Sequence, residues 1–376
     1  MKGKNQVHNP FSVTSYLGSD YFCDREDETK KLQDALSNCR NITLISPRKI
    51  GKTGLVHHFF HCIPTQEAAC FYVDIYKTRS LSDFAKTFAE AILTRQISPF
   101  STRIWKKIVQ TFASLRPVFS IDPVTGQPQC RVDLQPQNEE ATLRQLFEYL
   151  EKSPIPCYVA FDEFQVIAEY ADCQMEAVLR SYIQHLVNTH FIFAGSKKHT
   201  MVQLFAAANR PFYQSTQIMN VGEIEEKKYA CFAQDHLQRH KQTLSDEAFH
   251  ELYTQVHGHT WYVQTLLNRL YQEGESVITP EIVKRTLFAI VKENEPVYQT
   301  YCQLITERQQ RVMRAIAAED GVKEVMNSRF LREHKLGSAS TVRSVVQALL
   351  DKELLFEDNG IYYVYDRFFS LWLANL

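Results

Sequence analysis

The stretch Asn41-Ile-Thr-Leu-Ile-Ser-Pro-Arg-Lys-Ile-Gly-Lys-Thr-Gly54 decides the fold. Its first half is a short β-rich run suited to a buried strand. A polar turn follows, and a helix is expected from Lys52 to about His61. The turn matches the phosphate-binding pattern GxxxxGK[ST] at every defined position except the first, where Ser46 replaces glycine. Such a loop curls backbone N–H groups round a β-phosphate. Gly51 permits the tight backbone, Lys52 reaches phosphate oxygens, and Thr53 offers a hydroxyl to magnesium at a helix N-terminus. The expected binding set is Ser46, Pro47, Arg48, Lys49, Ile50, Gly51, Lys52, Thr53 and Gly54. Ser46 is its weak point, because a Cβ must fit where glycine usually sits.

Working outward, an amphipathic helix is expected over residues 26–39, with Leu32 and Leu36 on one face. Further apolar strands read Ala69-Cys-Phe-Tyr-Val-Asp74, Cys157-Tyr-Val-Ala-Phe-Asp162, Phe191-Ile-Phe-Ala-Gly195 and Gln217-Ile-Met-Asn-Val221, with helices between them. This alternation implies an α/β fold, a parallel sheet with helices on both faces. With the phosphate-loop turn, the expectation is a P-loop NTPase sheet in strand order 5-1-4-3-2. The third strand runs straight into Asp162-Glu163, a Walker B pattern at the end of a parallel strand, where ligands of such sheets bind. Asp162 is the expected magnesium ligand through its hydration shell, together with Thr53. Glu163 is expected to orient or deprotonate the attacking water. Ser196, after the fourth strand, is the candidate polar sensor or a helix N-cap.

Composition bounds the rest. The chain has 376 residues, with 42 Lys+Arg against 43 Asp+Glu, and 44% hydrophobic residues. That excludes wholesale disorder, and near-zero net charge argues against binding nucleic acid or anionic membrane by bulk charge alone. Nine cysteines are scattered with none at CxxC spacing, which argues against a zinc knuckle and for thiols in a reducing compartment. Neither a signal peptide nor a membrane span is legible, so a cytoplasmic protein with no membrane partner is expected.

The pattern after residue 222 is helical to 303. Three more helical segments follow, then a hairpin turning at Asp358-Asn-Gly360, which together read as a winged helix-turn-helix. The expected domains are 1–222 for nucleotide binding, with an insertion at about 96–140, then an all-α lid at 223–303 and a winged helix at 304–376. The insertion is expected to be helical at first and then a turn or hairpin around Ser120–Gly126. Its stretch from Arg95 to Arg116 carries Arg95, Arg103, Lys106, Lys107 and Arg116 with Trp105 and Phe112, and no acid. It reads either as a surface for an acidic partner or nucleic acid, or as a solvated helix face. Residues 301–376 hold 10 Lys+Arg and 10 Asp+Glu, so the fold that usually meets DNA is neutral as a whole. His57-His58 has no carboxylate at metal spacing and reads as structural or exposed.

Several blocks resemble the archaeal-type ATPases, P-loop proteins related to the AAA+ and STAND groups and found in archaea and in bacteria such as Bacteroidetes. They are Ser46–Thr53, Asp162-Glu-Phe-Gln165, Arg180-Ser-Tyr-Ile-Gln184, Phe193-Ala-Gly-Ser196, Arg210-Pro-Phe-Tyr213 and Tyr365-Asp-Arg-Phe-Phe-Ser-Leu-Trp-Leu373. Cys23-Asp-Arg-Glu-Asp-Glu28 resembles the family's F-x-x-R-E-x-E block, which implies a place for Arg25 near the adenine. The resemblance implies ATP and Mg2+ as cofactors, catalytic roles for Lys52 and Glu163, and a winged helix that packs on the nucleotide domain and senses its state. It also raises Arg210 as an arginine finger or γ-phosphate sensor, beside a salt-bridge role. The family's lid motif Gly-x-Pro stands here as Gly258-His259-Thr260, without the proline.

The leading expectation is an ATP-binding, Mg-dependent P-loop ATPase working as a nucleotide-driven conformational switch. Two alternatives stay open. One is an ATP-modulated DNA-binding regulator or mobile-element protein. The other is a slowly hydrolysing signalling or defence switch that self-associates, or meets a protein partner, when ATP is bound.

Overall fold

The computed structural model describes residues 9–96, 115–121, 128–134, 139–170 and 174–375. They divide into two compact units, one of Thr14–Ile224 and one joining residues 9–13 to the chain from Glu225 onward.

In the first unit the strands are Ile42–Ile45 (β1), Ala69–Asp74 (β2), Leu115–Ile121 (β3), Pro128–Leu134 (β4), Cys157–Asp162 (β5), Thr189–Gly195 (β6) and Gln217–Asn220 (β7). Five of them form one sheet in the order β2-β5-β6-β1-β7. All its pairings are parallel. This is the expected order, with the insertion hairpin left out of the count. β1 and β6 are buried along their whole lengths, as strands covered on both faces must be. The helices are Glu26–Ser37 (α1), Lys52–Cys62 (α2), Leu81–Gln96 (α3), Glu139–Glu151 (α4), Met175–Ile183 (α5) and Lys198–Ala206 (α6).

Two apolar layers hold the sheet. Leu32, Leu36, Leu55, Val56 and Phe59 pack with Ile42 and Leu44, fixing α1 and α2 to β1. Phe84, Phe88, Phe147, Phe161, Phe191 and Phe193 belong to the other layer. There Phe161 and Phe191 stack at 6.0 Å and 5°. β3 and β4 form a separate antiparallel hairpin in the insertion. The basic helix expected in the first half of the insertion lies outside the described residues.

The second unit contains Glu226–Gln238 (α7), Asp246–Gln255 (α8), Thr260–Glu273 (α9), Pro280–Glu293 (α10), Glu295–Gln303 (α11), Glu307–Ala318 (α12), Ser328–Glu333 (α13), Ala339–Asp351 (α14) and Arg367–Ala374 (α15). Thr243–Leu244 (β8) and Val277–Ile278 (β9) form a two-residue parallel pairing that the helical pattern concealed. Leu355–Asp358 (β10) and Ile361–Val364 (β11) make the hairpin after α14, with Gly360 at φ 80° in its turn.

The division differs from the sequence reading in two ways. Residues 9–13 belong with the second unit rather than with the nucleotide domain, because Phe11 is fully buried and meets Phe232, His236 and Tyr271 edge-on. The helical lid and the winged helix form one unit. Asp320, after α12, is bonded by both His257, after α8, and Arg367 of α15. The Arg367 backbone N–H also donates to Tyr262 Oη at 2.9 Å.

Candidate functional site

Parallel register brings the C-terminal ends of β1, β2, β5 and β6 to one edge of the sheet. Ile45 lies beside Gly195, and Asp74 beside Asp162. The residues that follow these strands build the site.

The loop after β1 is held from below. Ile50 is fully buried in the core, so it offers a ligand only its backbone. Its carbonyl accepts from Arg25 Nη2 at 3.2 Å, and that nitrogen also donates to Gly222 O at 2.7 Å. Arg25 is 3% exposed and pairs with Glu28 at 2.8 Å. Arg25 thus braces the loop through the Ile50 carbonyl. The left-handed residues of the loop are Lys49, at φ 67°, and Gly51, at φ 103°. Ser46 is not among them, which is why a side chain is tolerated at the position where the motif has glycine. Pro47 contributes its carbonyl, Arg48 lies over the Tyr76 ring at 5.7 Å, and Gly54 sits against Phe22.

Lys52 opens α2 and is 6% exposed. Its Nζ donates to Ser46 O at 3.1 Å, Ser46 Oγ at 3.2 Å and Pro47 O at 3.3 Å, all neutral acceptors. Burial lowers its pKa below the ordinary 10.5, against the opposing pull of Glu163 and Asp162. Gly51, the N-cap, supplies no side-chain cap to the first turn of α2. A buried cation with neutral partners at an uncapped helix N-terminus is a seat for an anion, and phosphate fits it.

The carboxylate side is equally ordered. Asp162 is 4% exposed. Its Oδ2 accepts from Thr53 Oγ1 and from Tyr72 Oη, each at 2.7 Å, and its Oδ1 from Glu163 N at 3.0 Å. The pairing of Thr53 with Asp162 joins two hard oxygen donors of the kind Mg2+ takes beside phosphate. Glu163 has left-handed backbone, φ 56°, at the start of the 3-10 turn Phe164–Glu169. Fully buried Phe164 anchors that turn, 4.5 Å from the Phe193 ring. Glu163 Oε2 accepts from Ser196 Oγ at 2.8 Å and from Gln165 Nε2. Gln165 Oε1 accepts in turn from Ser196 N at 3.2 Å. A Cβ on Gly195 would lie 2.6 Å from Gln165 Oε1 and 2.3 Å from Met201 Sδ, so this close approach requires glycine.

The structure therefore brings together Lys52, Thr53, Asp162, Glu163 and Ser196. Arg210 forms an ion pair with Glu176 of α5 at 2.7 Å, the salt-bridge role raised beside the finger and sensor roles. Gly258, at φ 67°, ends the α8 region, with Tyr253 occupying the space a Cβ would need. Tyr72 and Gln165 escaped the sequence reading as site residues. The available signal for Tyr72 was its place opposite small Ala160, two residues before the end of a strand that runs beside Asp162.

The parallel sheet, the loop on β1 and the paired carboxylates on β5 define a P-loop NTPase fold, followed by helices and a winged helix. A family model described as "Probable winged helix domain" matches residues 296–375, beginning one helix earlier than the sequence division. Among solved structures, the chain is similar to a Walker-type ATPase of Pyrococcus abyssi at 18% identity and TM-score 0.64, covering 98% of this chain and 100% of that one. It is similar to the ORC2 protein of Aeropyrum pernix, solved as ADPNP and ADP complexes, at 12% identity and TM-score 0.59, covering 98% and 96%. The ORC1 protein of Aeropyrum pernix, solved in complex with DNA, matches at 12% identity and TM-score 0.55, covering 98% and 96%. At these identities the likeness is one of fold. No curated protein matches the chain. Among the described residues no helix is long and apolar enough to cross a membrane.

Proposed function

We propose that the protein binds ATP with Mg2+ and hydrolyses it, using the nucleotide state as a conformational switch. The observation that carries this reading is buried Lys52, whose hydrogen-bond partners among the described residues are neutral oxygens, beside Thr53, Asp162 and Glu163. The phosphates would replace those carbonyls as partners of Lys52, with backbone N–H groups from Lys49 to Thr53 around them. Thr53 and Asp162 would hold Mg2+, whose role when bound is to neutralise charge on the phosphate oxygens. Glu163 orients a water and takes its proton at the carboxylate, while Ser196 fixes the direction of that carboxylate. Adenine rather than guanine is supported by the family resemblance and by the nucleotides in the ORC2 complexes. A phosphate-release assay tests the assignment of Glu163: Glu163→Gln should bind ATP as the wild type does and release no phosphate, and unchanged turnover would refute it.

A second reading, that the winged helix meets duplex DNA, is favoured by how charge is distributed there. Glu319, Asp320 and Glu333 are engaged by His334, Arg367 and Arg329. Arg308 and Arg311 of α12 instead line a shallow groove with Thr341 near the start of α14. A neutral sum leaves room for such a local pair of exposed arginines, and exposed arginines are what contact phosphate. Binding of a DNA duplex that weakens steeply with salt, and weakens again in Arg308→Glu/Arg311→Glu, would support it. Absent or salt-insensitive binding would exclude it.

A further inference from the structure

We infer that Tyr72 is a positioning residue for the magnesium-binding carboxylate, and that it helps the site prefer Mg2+ over larger divalent cations. The inference rests on the ATPase reading above and names a side chain which that reading does not use.

Three donors meet Asp162. Glu163 N takes Oδ1, while Thr53 Oγ1 and Tyr72 Oη share Oδ2. The two donors on Oδ2 differ in what they can do next. Thr53 is itself a metal ligand in the proposed reading, so its hydroxyl turns from the carboxylate to the ion. Tyr72 has no such second role. It is fixed by its place on β2 opposite Ala160, and by the His57 ring packed 4.4 Å from its own. A phenol, whose ordinary pKa is about 10, is a donor across the working pH range. When Thr53 leaves Oδ2, Tyr72 is the side chain that keeps the plane of Asp162 in place.

Groups that orient a metal ligand through a hydrogen bond change metal affinity about 10- to 100-fold when removed. Direction matters more for Mg2+ than for Ca2+. Mg2+ demands near-octahedral geometry, whereas Ca2+ accepts irregular oxygen sets. Loss of the phenol should therefore weaken Mg2+ more than Ca2+.

The test is equilibrium binding of a fluorescent ATP analogue to the full chain, wild type against Tyr72→Phe, in EDTA, in Mg2+ and in Ca2+. Affinity in EDTA should be the same in both, which also shows that the variant folds. The gain in affinity on adding Mg2+ should fall about tenfold in Tyr72→Phe, with the gain on adding Ca2+ little changed. In an Asp162→Asn background, Tyr72→Phe should cause no further loss, because the two residues act as one unit. An undiminished Mg2+ gain in Tyr72→Phe, equal losses for both cations, or additive losses in the double variant would overturn the inference while leaving the ATPase reading intact. A wild type that binds no nucleotide would overturn both.

Discussion

Ser196 Oγ donates to Glu163 Oε2 across 2.8 Å, tying the residue after β6 to the residue after β5. Two strand ends that are neighbours in the sheet thus share one hydrogen bond at the carboxylate that the proposal makes the general base. Gln165, 1% exposed, closes the ring by bonding to both.

The first prediction concerns this ring. General-base catalysis contributes about 10²–10⁴ in rate and depends on where the carboxylate points. Ser196→Ala should lower ATP turnover at least about tenfold with nucleotide affinity nearly unchanged. Steady-state phosphate release set beside equilibrium binding checks it, and equal losses in both would assign Ser196 to binding instead.

Arg25 should matter for stability before it matters for chemistry. Its removal leaves the carbonyls of Ile50 and Gly222 without their donor beneath the loop. Buried groups stripped of a charged partner cost about 2–4 kcal/mol. Arg25→Ala should lower the denaturant midpoint accordingly and weaken nucleotide binding through the loosened loop. A variant as stable as wild type, with only adenine selectivity lost, would restore the contact implied by the resemblance.

The pH dependence of binding follows from Lys52. Its pKa lies below 10.5 in the free protein because burial penalises the charge. A bound phosphate favours the charged form and raises that pKa again. Binding is then linked to proton uptake between the two values. Affinity for ATP should decline as pH rises through the free value and level off once the bound value is passed. Lys52→Arg, which stays protonated, should flatten the curve. Isothermal titration in buffers of different ionisation enthalpy measures the protons directly.

Phe11 predicts a contribution to stability from outside the nucleotide unit. It is fully buried; Asn9 Nδ2 donates to Asn268 O at 3.0 Å, and Asn268 Nδ2 donates to Phe11 O at 2.6 Å. Phe11→Ala should destabilise the second unit by about 3–5 kcal/mol. Denaturant unfolding of Phe11→Ala, followed by far-ultraviolet circular dichroism, should show the second unit's transition at lower denaturant than in wild type. A single unshifted transition would contradict this.

The fold was legible because its signals are local and repeated. Apolar strands alternate with helices, and the run from Asn41 to Gly54 places a glycine and a lysine where a phosphate loop needs them. The places of Lys52, Thr53, Asp162 and Glu163 in the fold could be read for the same reason, each sitting at the end of a strand or the start of a helix. Long-range placement was less visible. Nothing near Phe11 in sequence shows that its pocket is built by α7 and α9, more than two hundred residues away. The guanidinium of Arg25 has a local partner in Glu28, but its bonds to Ile50 O and Gly222 O exist only in the folded unit. Tyr72 and Gln165 look like ordinary strand and turn residues until β2, β5 and β6 are side by side. The parallel pairing of β8 with β9 is two residues long, too short for period-two alternation to show.

The central claim is tested most directly by equilibrium binding of a fluorescent ATP analogue to wild type and to Lys52→Ala, with and without Mg2+. The account predicts saturable binding to wild type that tightens with Mg2+, and a loss of at least about a hundredfold in Lys52→Ala, in line with removal of a charge-assisted phosphate contact. Binding of equal strength to the two proteins, or none to wild type, would contradict it.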